Sequence, residues 1–310
     1  MLSQSNYENQ KAARLAVREL GQEEQASGAS KLKKLCIYHG NCADGFGAAW
    51  VVRKALGEAN VEFVAGVYQT EPPDVTGRDV ILVDFSYKRP VMLELSAKAK
   101  SILIIDHHKS AMEDLQNFDI GAPCPIEAHF DLNHSGAMLT WLYYFGDAEP
   151  PALLKHIEDR DLWRFNLKGT REIQAALFSY PYDFSIWDQL MEKVSKLHTE
   201  GIALERKHFK DIHELLKVCQ RRLVIASVNV PAASLPYTMS SDAGHLMSKG
   251  EPFAVCYYDS PDGRNFSLRS AEDGLDVSKI AAQYGGGGHR HAAGFKVPFA
   301  TAVTFEVSGE

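Results

Sequence analysis

The segment ILIIDHHKS is the most chemically informative stretch of this chain, because three polar side chains come directly at the end of an apolar run. Asp106, His107 and His108 occupy the positions where the predicted strand at residues 102–106 ends. Two adjacent histidines alone could form a solvated turn. Three polar groups at the end of a buried strand need partners, since burying them unpaired is costly. The triplet therefore predicts a metal-ion site that hydrolyses a phosphate ester or anhydride.

Three further residues stand in similar positions. His39 follows the apolar run LCIY, Asp84 ends the run VILVD, and Asp44 lies in the segment NCADGFG after His39. The carboxyl ends of parallel strands meet at one edge of a sheet, where open α/β sheets bind their ligands. Taken singly, Asp84 could be a strand-to-turn residue, and Asp44 before Gly45 could cap a helix. Together they make a purely structural explanation of the triplet less favourable.

The donor types in this set indicate which ion it suits. Imidazoles and carboxylates drawn from several loops make a mixed nitrogen and oxygen site that fits manganese, with magnesium or iron less favoured. A pair of ions about 4 Å apart, bridged by a shared carboxylate, generates a hydroxide nucleophile and neutralises phosphoryl oxygens. Asp131, Asp159 and Asp161 are further carboxylates in the same half of the chain. We therefore predict metal-dependent phosphodiester hydrolysis.

Short apolar runs and helical stretches alternate in the first half of the chain. The runs that predict strands are at residues 35–38, 61–66, 80–84 and 102–106. Helical patterns lie between them, over Gly45 to Leu56 and Pro90 to Lys100. This alternation predicts β-α-β units around a parallel sheet with helices on both faces. Two more helices are predicted between Ser135 and Phe165, followed by one long amphipathic helical stretch from Phe184 to about Val218.

A second series of elements begins after Arg221. Strands are predicted for LVIASVNV, FAVCYY and NFSLRS, with helices near Asp242 and Val277 and then the glycine-rich segment GGGGHRHAAGF. Consecutive glycines let backbone N–H groups approach an anion closely, although an isolated glycine run could equally be a plain loop. Arg269 ends NFSLR and can pair with a terminal phosphate in bidentate fashion. This half therefore predicts a smaller mixed α/β domain with an anion site.

Composition limits the partners and the compartment. The net charge of the 310 residues is −7, so a nucleic-acid partner must be held by a local basic patch, and no long-duplex binding is expected. The five cysteines show no C-x-x-C pairing and fit reduced thiols in the cytoplasm. We expect neither a signal peptide nor a membrane span, because no apolar window has the required length.

From about Leu35 onward, these residues together resemble the DHH phosphoesterase superfamily. His39 and Asp44 match its first motif, Asp84 the second, the triplet at residues 106–108 the third, and a helix-end aspartate the fourth. The resemblance extends to FSLRS, DVSKIA and GGGGHRHAAGF, which are similar to the DHH-associated substrate-binding domain of the oligoribonuclease and short-RNA exonuclease branch. Such a combination is far more specific than any single motif.

The resemblance implies a role for each residue. Asp84 would bridge two ions, with His39 on one ion and Asp44, His107 and the fourth-motif aspartate on the other. Asp106 and His108 would act beside these ligands, the first by orienting a ligand imidazole and the second by contacting the scissile phosphate or leaving oxygen. The implied substrate-binding residues are Arg269, Gly286, Gly287, Gly288, His289, Arg290 and His291.

Two positions leave alternatives. The fourth motif, in HIEDRDLWRF, offers Asp159 and Asp161; we prefer Asp159, because its spacing to Trp163 resembles that of the family, and keep Asp161 as the alternate. Many family members carry an additional aspartate in the first motif, where this chain has Asn41 and Cys42. Asn41 offers a neutral oxygen as an alternate ligand, whereas manganese disfavours a thiolate. Weaker binding of the first ion is therefore expected.

The implied function is hydrolysis of very short single-stranded oligonucleotides, for example linear dinucleotides such as pGpG, to nucleoside monophosphates. Two manganese ions are implied, with magnesium as an alternative, and attack from either the 3′ or the 5′ end. One alternative is a pyrophosphatase or exopolyphosphatase, whose different C-terminal domain argues against it. Another is a nucleotide-binding module that has lost catalysis. A homodimer is a further alternative to a monomer.

The predicted organisation has four parts. An N-terminal helical extension at residues 1–33 precedes a DHH catalytic domain at 34–185, built on the parallel sheet. A helical linker at residues 186–220 then leads to a smaller mixed α/β DHH-associated substrate-binding domain at 221–310.

Overall fold

The computed structural model of the chain describes residues 32–68 and 70–299. The predicted N-terminal helical extension lies almost entirely outside these residues. Within the described ranges, no helix has the length and apolarity needed to span a bilayer.

Five strands in this part of the chain form a parallel sheet in the order β2-β1-β3-β4-β5. Their bounds are β1 Lys34–His39, β2 Val61–Gly66, β3 Asp79–Val83, β4 Ser101–Asp106 and β5 Ile126–Phe130. The chain runs from β1 outward to β2 and then returns to pair β3 with the other side of β1. Such a reversal opens a crevice at the carboxyl ends of the two strands beside it, here β1 and β3.

Helices cover both faces of this sheet. Their bounds are α1 Ala43–Leu56, α2 Arg89–Ser96, α3 Lys109–Asp114, α4 Gly136–Phe145 and α5 Ala152–Asp161. On one face, Ile81 and Val83 of β3 share a core with α1, α4 and α5. The intervening Leu82 belongs to a separate core with Met92 of α2. Because alternate residues of one strand enter two cores, the strand needs an unbroken apolar run such as VILV.

A helical region follows, with α6 at Thr170–Leu177, α7 at Phe184–Glu192 and α8 at Val194–Cys219. The single helical stretch predicted from Phe184 is therefore two helices, because Lys193 leaves the helical conformation with φ −122° and ψ 42°. Gly201 lets α8 approach α6 closely, since a Cβ there would lie 1.7 Å from the carbonyl oxygen of Glu172.

A second sheet of six strands in the described residues has the order β10-β11-β9-β8-β7-β6. Its strands are β6 Gln220–Ile225, β7 Val228–Ser234, β8 Ala254–Ser260, β9 Gly263–Arg269, β10 Gly287–Gly288 and β11 Ala292–Pro298. The pairing is antiparallel except between β7 and β8. Two helices, α9 Ser240–Met247 and α10 Val277–Ala282, accompany it. The predicted fold class, a parallel-sheet domain joined to a smaller mixed α/β domain, is confirmed.

Two details of the predicted strands need correction. The segment LVIASVNV is the centre of a hairpin and not one strand, because Ala226 and Ser227 turn the chain with φ values of 48° and 66°. Such turns usually contain Asn or Gly, so Ala and Ser at these two positions do not predict a turn. The strand β5, whose IEAHF pattern is largely exposed, is also absent from the prediction.

Candidate metal centre

The predicted ligands meet at the carboxyl ends of β1, β3 and β4. His39 is the last residue of β1, Asp84 follows β3, and His107 follows β4. Asp84 has a φ of 53°, a left-handed conformation that non-glycine residues adopt at a cost. Its N–H donates to the carbonyl of Ile105 at 2.9 Å, so the turn remains tied to β4. A strained residue at a ligand crevice is consistent with a functional requirement.

Asp44 does not cap the helix that contains it. Helix α1 begins at Ala43 with Cys42 as its N-cap residue. The Asp44 carboxylate, only 1 % exposed, instead accepts backbone N–H bonds from Gly136 at 2.6 Å and Ala137 at 3.0 Å, at the start of α4. The N-terminus of a second helix thus holds this carboxylate inside the crevice.

Two glycines let the backbone approach the centre. A Cβ at Gly45 would lie 2.3 Å from the carbonyl oxygen of His39, and one at Gly136 would lie 2.4 Å from the Cβ of Asp84. Both distances are far below van der Waals contact. The small residues of NCADGFG and HSGA are therefore required for α1 and α4 to start beside the strand ends.

Asp84 and His107 lie at the middle of the cluster. His107 Nε2 is 3.1 Å from Asp84 Oδ1, 3.4 Å from Asp161 Oδ2 and 3.7 Å from Asp44 Oδ2. On the other side, Asp84 Oδ2 lies 3.3 Å from His39 Nδ1. Asp84 is therefore the carboxylate that contacts both histidines.

The donor atoms fall into groups suited to divalent cations. One group is His39, Asp84 and His108, and a second is Asp44, Asp84 and His107, with the atoms of each group within 4.8 Å of one another. Asp84 belongs to both, as a bridging ligand must. Asp84 Oδ1 and His107 Nδ1 are buried without a well-formed hydrogen bond. Buried polar atoms are rarely left so, and the mixed donor set fits a divalent cation.

The charges in the cluster act strongly on one another. Burial would raise the pKa of Asp84, but His107 and His39 hold that pKa well below its usual range. Burial, followed by Asp84 and Asp161, raises the pKa of Asp44 well above its usual range. Burial likewise raises the pKa of Asp161. Cations bound here would replace protons, as is general for ligand sets that must be deprotonated.

Asp106 holds the loop that follows β4. Its Oδ1 accepts the backbone N–H groups of His107 at 2.7 Å and His108 at 3.1 Å, and lies 2.7 Å from His108 Nδ1. Ser86, which the sequence did not single out, donates to Oδ2 at 2.6 Å. The ring that Asp106 orients is thus that of His108 and not that of His107, the histidine predicted as a ligand.

The geometry reverses the choice between Asp159 and Asp161. Both Asp159 oxygens are engaged within the following loop: they accept N–H bonds from Asn166 at 2.8 Å and Leu167 at 3.0 Å, and an O–H bond from Thr170 at 2.6 Å. Asp161, at the end of α5, instead approaches His107. The spacing between Asp159 and Trp163 belongs to the loop that the Asp159 side chain closes, and does not indicate a metal ligand. Asp161 is therefore the candidate ligand of the fourth motif.

The alternate ligand Asn41 has a different position. It is exposed, and its φ of 54° places it in the turn between β1 and α1. The turn gives a structural reason for Asn41, since asparagine tolerates this conformation better than most residues.

The glycine-rich segment of the second sheet reaches the same centre. The His289 ring lies 4.6 Å from the rings of both His107 and His108, measured between centroids. Burial, with His108 and His107 close by, lowers the pKa of His289 well below its usual range. The sequence predicted an anion-binding loop, but not that its histidine would lie beside the DHH triplet.

Close approach accounts for the glycines in this segment. A Cβ at Gly286 would lie 2.0 Å from the carbonyl oxygen of Gly294, and one at Gly287 would lie 2.7 Å from Ser110 Oγ. Gly288, with a φ of 137°, donates its N–H to Ser110 Oγ at 2.9 Å. These contacts disfavour the interpretation of the run as a plain flexible loop.

The other predicted substrate-binding residues are held within the second sheet. Arg269 donates to Ser267 Oγ at 3.0 Å, to the Leu268 carbonyl at 2.8 Å and to Ser241 Oγ at 2.8 Å. Burial lowers the pKa of Arg269 to about 10. His291 Nδ1 lies 3.0 Å from Ser270 Oγ, and Arg290 is exposed.

The chain is similar to known sequences over most of its length. Residues 235–304 match the DHHA1 domain family. Uncharacterized protein R106 of Acanthamoeba polyphaga mimivirus is 30% identical, over 83% of this chain and 66% of the relative. Oligoribonuclease NrnB of Bacillus subtilis (strain 168) is 24% identical, over 63% of this chain and 53% of the relative. The chain thus spans about half to two thirds of the length of these curated relatives.

A solved structure agrees with the fold. The structure described as the DHH domain of a member of the S1p family of ribosomal proteins has a TM-score of 0.58 and 15% identity, and the match covers 93% of this chain and 85% of that one. At this identity the likeness concerns the fold alone.

Proposed function

Because the chain belongs to the DHH superfamily, whose members are phosphoesterases, we propose that it is a metal-dependent phosphodiesterase that hydrolyses very short single-stranded oligonucleotides to nucleoside monophosphates. The observation that carries the proposal is the place of Asp84. This buried carboxylate belongs to two groups whose donor atoms could hold a cation, and its Oδ1, 3.1 Å from His107 Nε2, has no well-formed hydrogen bond. A shared carboxylate is the defining part of a two-ion phosphoesterase site.

The side chains divide between two ions. His39 and Asp84 would hold one, and Asp44, Asp84, His107 and Asp161 the other. Manganese suits this mixture of imidazole and carboxylate donors, with magnesium as the alternative. When bound, the ions would supply a Lewis acid for the phosphoryl oxygens and favour ionisation of the attacking water.

The neighbouring residues would orient the substrate and move a proton. Asp106 bonds His108 through Nδ1, which leaves Nε2 of that ring for the scissile phosphate or the leaving oxygen. His289, whose ring lies 4.6 Å from that of His108, is close enough to contact the same phosphate. Arg269 would hold a terminal phosphate by exchanging its bond to Ser241 for a charge-assisted pair.

The choice of a short substrate rests on several features. The relative NrnB is described as an oligoribonuclease, and the net charge of −7 does not favour binding along a long nucleic acid. A terminal phosphate held on the second sheet would set the number of nucleotides that reach the metal centre. We further propose that the enzyme attacks its substrate as an exonuclease. Because all five cysteines are free thiols, we also propose that it acts in the cytoplasm.

A product assay tests the proposal. Purified full chain with Mn²⁺ is incubated with a 5′-phosphorylated dinucleotide, a longer RNA, pyrophosphate and polyphosphate, and the products are resolved. We expect monophosphates from the dinucleotide, little product from the longer RNA and none from the two anhydrides. Release of orthophosphate from pyrophosphate or polyphosphate, with the dinucleotide intact, would instead assign a phosphoanhydride hydrolase.

A further inference from the structure

An ion pair joins the DHH triplet to the second sheet. Helix α3 begins with Lys109, directly after His108, and its Nζ lies 2.5 Å from Asp276 Oδ2. The two residues are 167 positions apart, and their side chains are only 21 % and 11 % exposed. Partial burial distinguishes this pair from surface pairs, which contribute little.

Asp276 also organises the helix that leads to the glycine-rich segment. It is the N-cap residue of α10, where its Oδ1 accepts the N–H of Ser278 at 3.1 Å. The next residue, Val277, donates its N–H to the carbonyl of Arg290 at 2.9 Å. The helix start and the segment that carries His289 are therefore one hydrogen-bonded unit, and Lys109 binds that unit at its N-cap.

Ser110 makes the second contact between these two parts. Its Oγ accepts the N–H of Gly288, the residue before His289. Lys109 and Ser110 thus bind two ends of the same unit, while the preceding His107 and His108 lie against the His289 ring. A shift of the unit relative to α3 would move His289 away from the metal centre.

We infer that Lys109 and Asp276 are positioning residues, which hold the glycine-rich segment, with its predicted anion site, and His289 against the metal centre. The inference rests on the proposed function. An unconstrained segment would have to be ordered by the substrate, at a cost in binding free energy. A charge-assisted hydrogen bond between mostly buried groups orders it in advance. Substrates that contact only the metal ions would gain little binding free energy from this ordered segment.

The test uses Asp276→Asn, because asparagine retains an oxygen for the α10 cap and loses the charge that binds Lys109. Lys109→Met removes the other partner. The matched control is Asp211→Asn, which breaks the pair between Asp211 and Lys207 on the exposed side of α8. Steady-state kinetics with Mn²⁺ compares a 5′-phosphorylated dinucleotide with bis(p-nitrophenyl) phosphate, a small diester without a terminal phosphate.

We expect KM for the dinucleotide to rise about tenfold in both variants, with a smaller change in kcat. The ratio of kcat/KM for the dinucleotide to that for the small diester should fall by a similar factor, and Lys109→Arg should restore most of it. Asp211→Asn should leave the ratio within about twofold of its original value. Equal losses on both substrates would overturn the inference.

Hydrogen exchange of the full chain gives a readout that needs no turnover. Amides of residues 285–291 should exchange about tenfold faster in Asp276→Asn than in the unchanged chain or in Asp211→Asn. Unchanged exchange in this segment would overturn the positioning role, whatever the kinetics. If neither substrate is hydrolysed and exchange still accelerates, the proposed function fails while the positioning role stands.

Discussion

The candidate metal centre and the Arg269 site, which belong to different sheets, differ in how fully their polar atoms are satisfied. At the metal centre, Asp84 Oδ1 and His107 Nδ1 are buried without a well-formed hydrogen bond. Arg269, by contrast, donates to two oxygen atoms of its own strand β9 and to Ser241 Oγ of α9. Leaving a buried polar group unpaired costs about 1–3 kcal/mol, so these two atoms would be stabilised by a further ligand.

The two sites therefore differ in how much they depend on a bound ligand. Under the proposed function, the metal centre would gain its remaining bonds when cations bind, whereas Arg269 already has its partners and would have to exchange one of them for a phosphate. Loss of a metal ligand should therefore abolish function, and loss of the guanidinium should weaken binding in a graded way.

Removal of the bridging charge should have the largest effect. Asp84→Asn keeps a residue that tolerates the observed φ of 53° and loses the carboxylate shared by both groups. We expect kcat/KM to fall by about 10³-fold or more on any phosphodiester. The control is Asp74→Asn, at an exposed turn. Substantial activity in Asp84→Asn, with a folded circular dichroism spectrum, would show that the bridging assignment is wrong.

A matched pair of variants separates Asp161 from Asp159. Asp161→Asn should lower Mn²⁺ affinity by roughly 10- to 100-fold with little change in melting temperature, because its carboxylate faces the cluster. Asp159→Asn should lower the free energy of unfolding by about 1–3 kcal/mol, because three loop donors lose a charged acceptor. Metal titration and thermal unfolding of both variants check this. If Asp159→Asn instead lowered Mn²⁺ affinity and Asp161→Asn lowered the free energy of unfolding, Asp159 would be the metal ligand.

The Arg269 site should show the graded response. Arg269→Lys keeps the positive charge and loses the planar pair of donors. We expect about a tenfold rise in KM for a dinucleotide with a 5′-phosphate and a smaller rise for the same dinucleotide without it. Steady-state kinetics on the two substrates measures the difference. An equal rise on both would mean that Arg269 does not recognise the terminal phosphate.

The smallest expected effect is on the pH dependence of folding stability. His245 of α9 stacks on Trp163 with ring centroids 3.7 Å apart, and burial lowers the pKa of His245 to about 4. The unfolded chain, with a histidine pKa of about 6.5, binds the proton first, so folding stability should decline as pH falls from about 6.5 to 4. In His245→Phe the decline should shrink by about 3 kcal/mol, measured by denaturant unfolding across this range.

The matched control for this prediction is His213→Phe, at an exposed position of α8. It should leave the pH dependence of stability unchanged. A profile for His245→Phe that runs parallel to that of the unchanged chain would contradict the neutral, buried state of His245.

The parts of the fold that sequence could predict are those with a strong local pattern. The runs LCIY and VILV are apolar because β1 and β3 are buried on both faces, and their polar ends mark the crevice. The strand β5 gives no such signal because it is a partly exposed edge strand. The turn at Ala226 and Ser227 is set by the pairing of β6 with β7 and not by residues that favour it.

The site shows the same division. His39, Asp44, Asp84 and His107 could be predicted because each lies near the end of a strand or at a helix start. Asp161 could not be chosen over Asp159, since both lie on α5 and only the fold of the next loop shows which one is already engaged. The approach of His289 depends on contacts between two sheets, which no local pattern contains.

The most direct test of the account is the number of Mn²⁺ ions bound by the full chain in equilibrium dialysis. We predict about two ions per chain, and fewer than about one in Asp84→Asn, because both groups lose the carboxylate that they share. Asp74→Asn should bind as the unchanged chain does. Binding of two ions by Asp84→Asn, or of none by the unchanged chain, would contradict the two-ion centre on which the proposed hydrolysis depends.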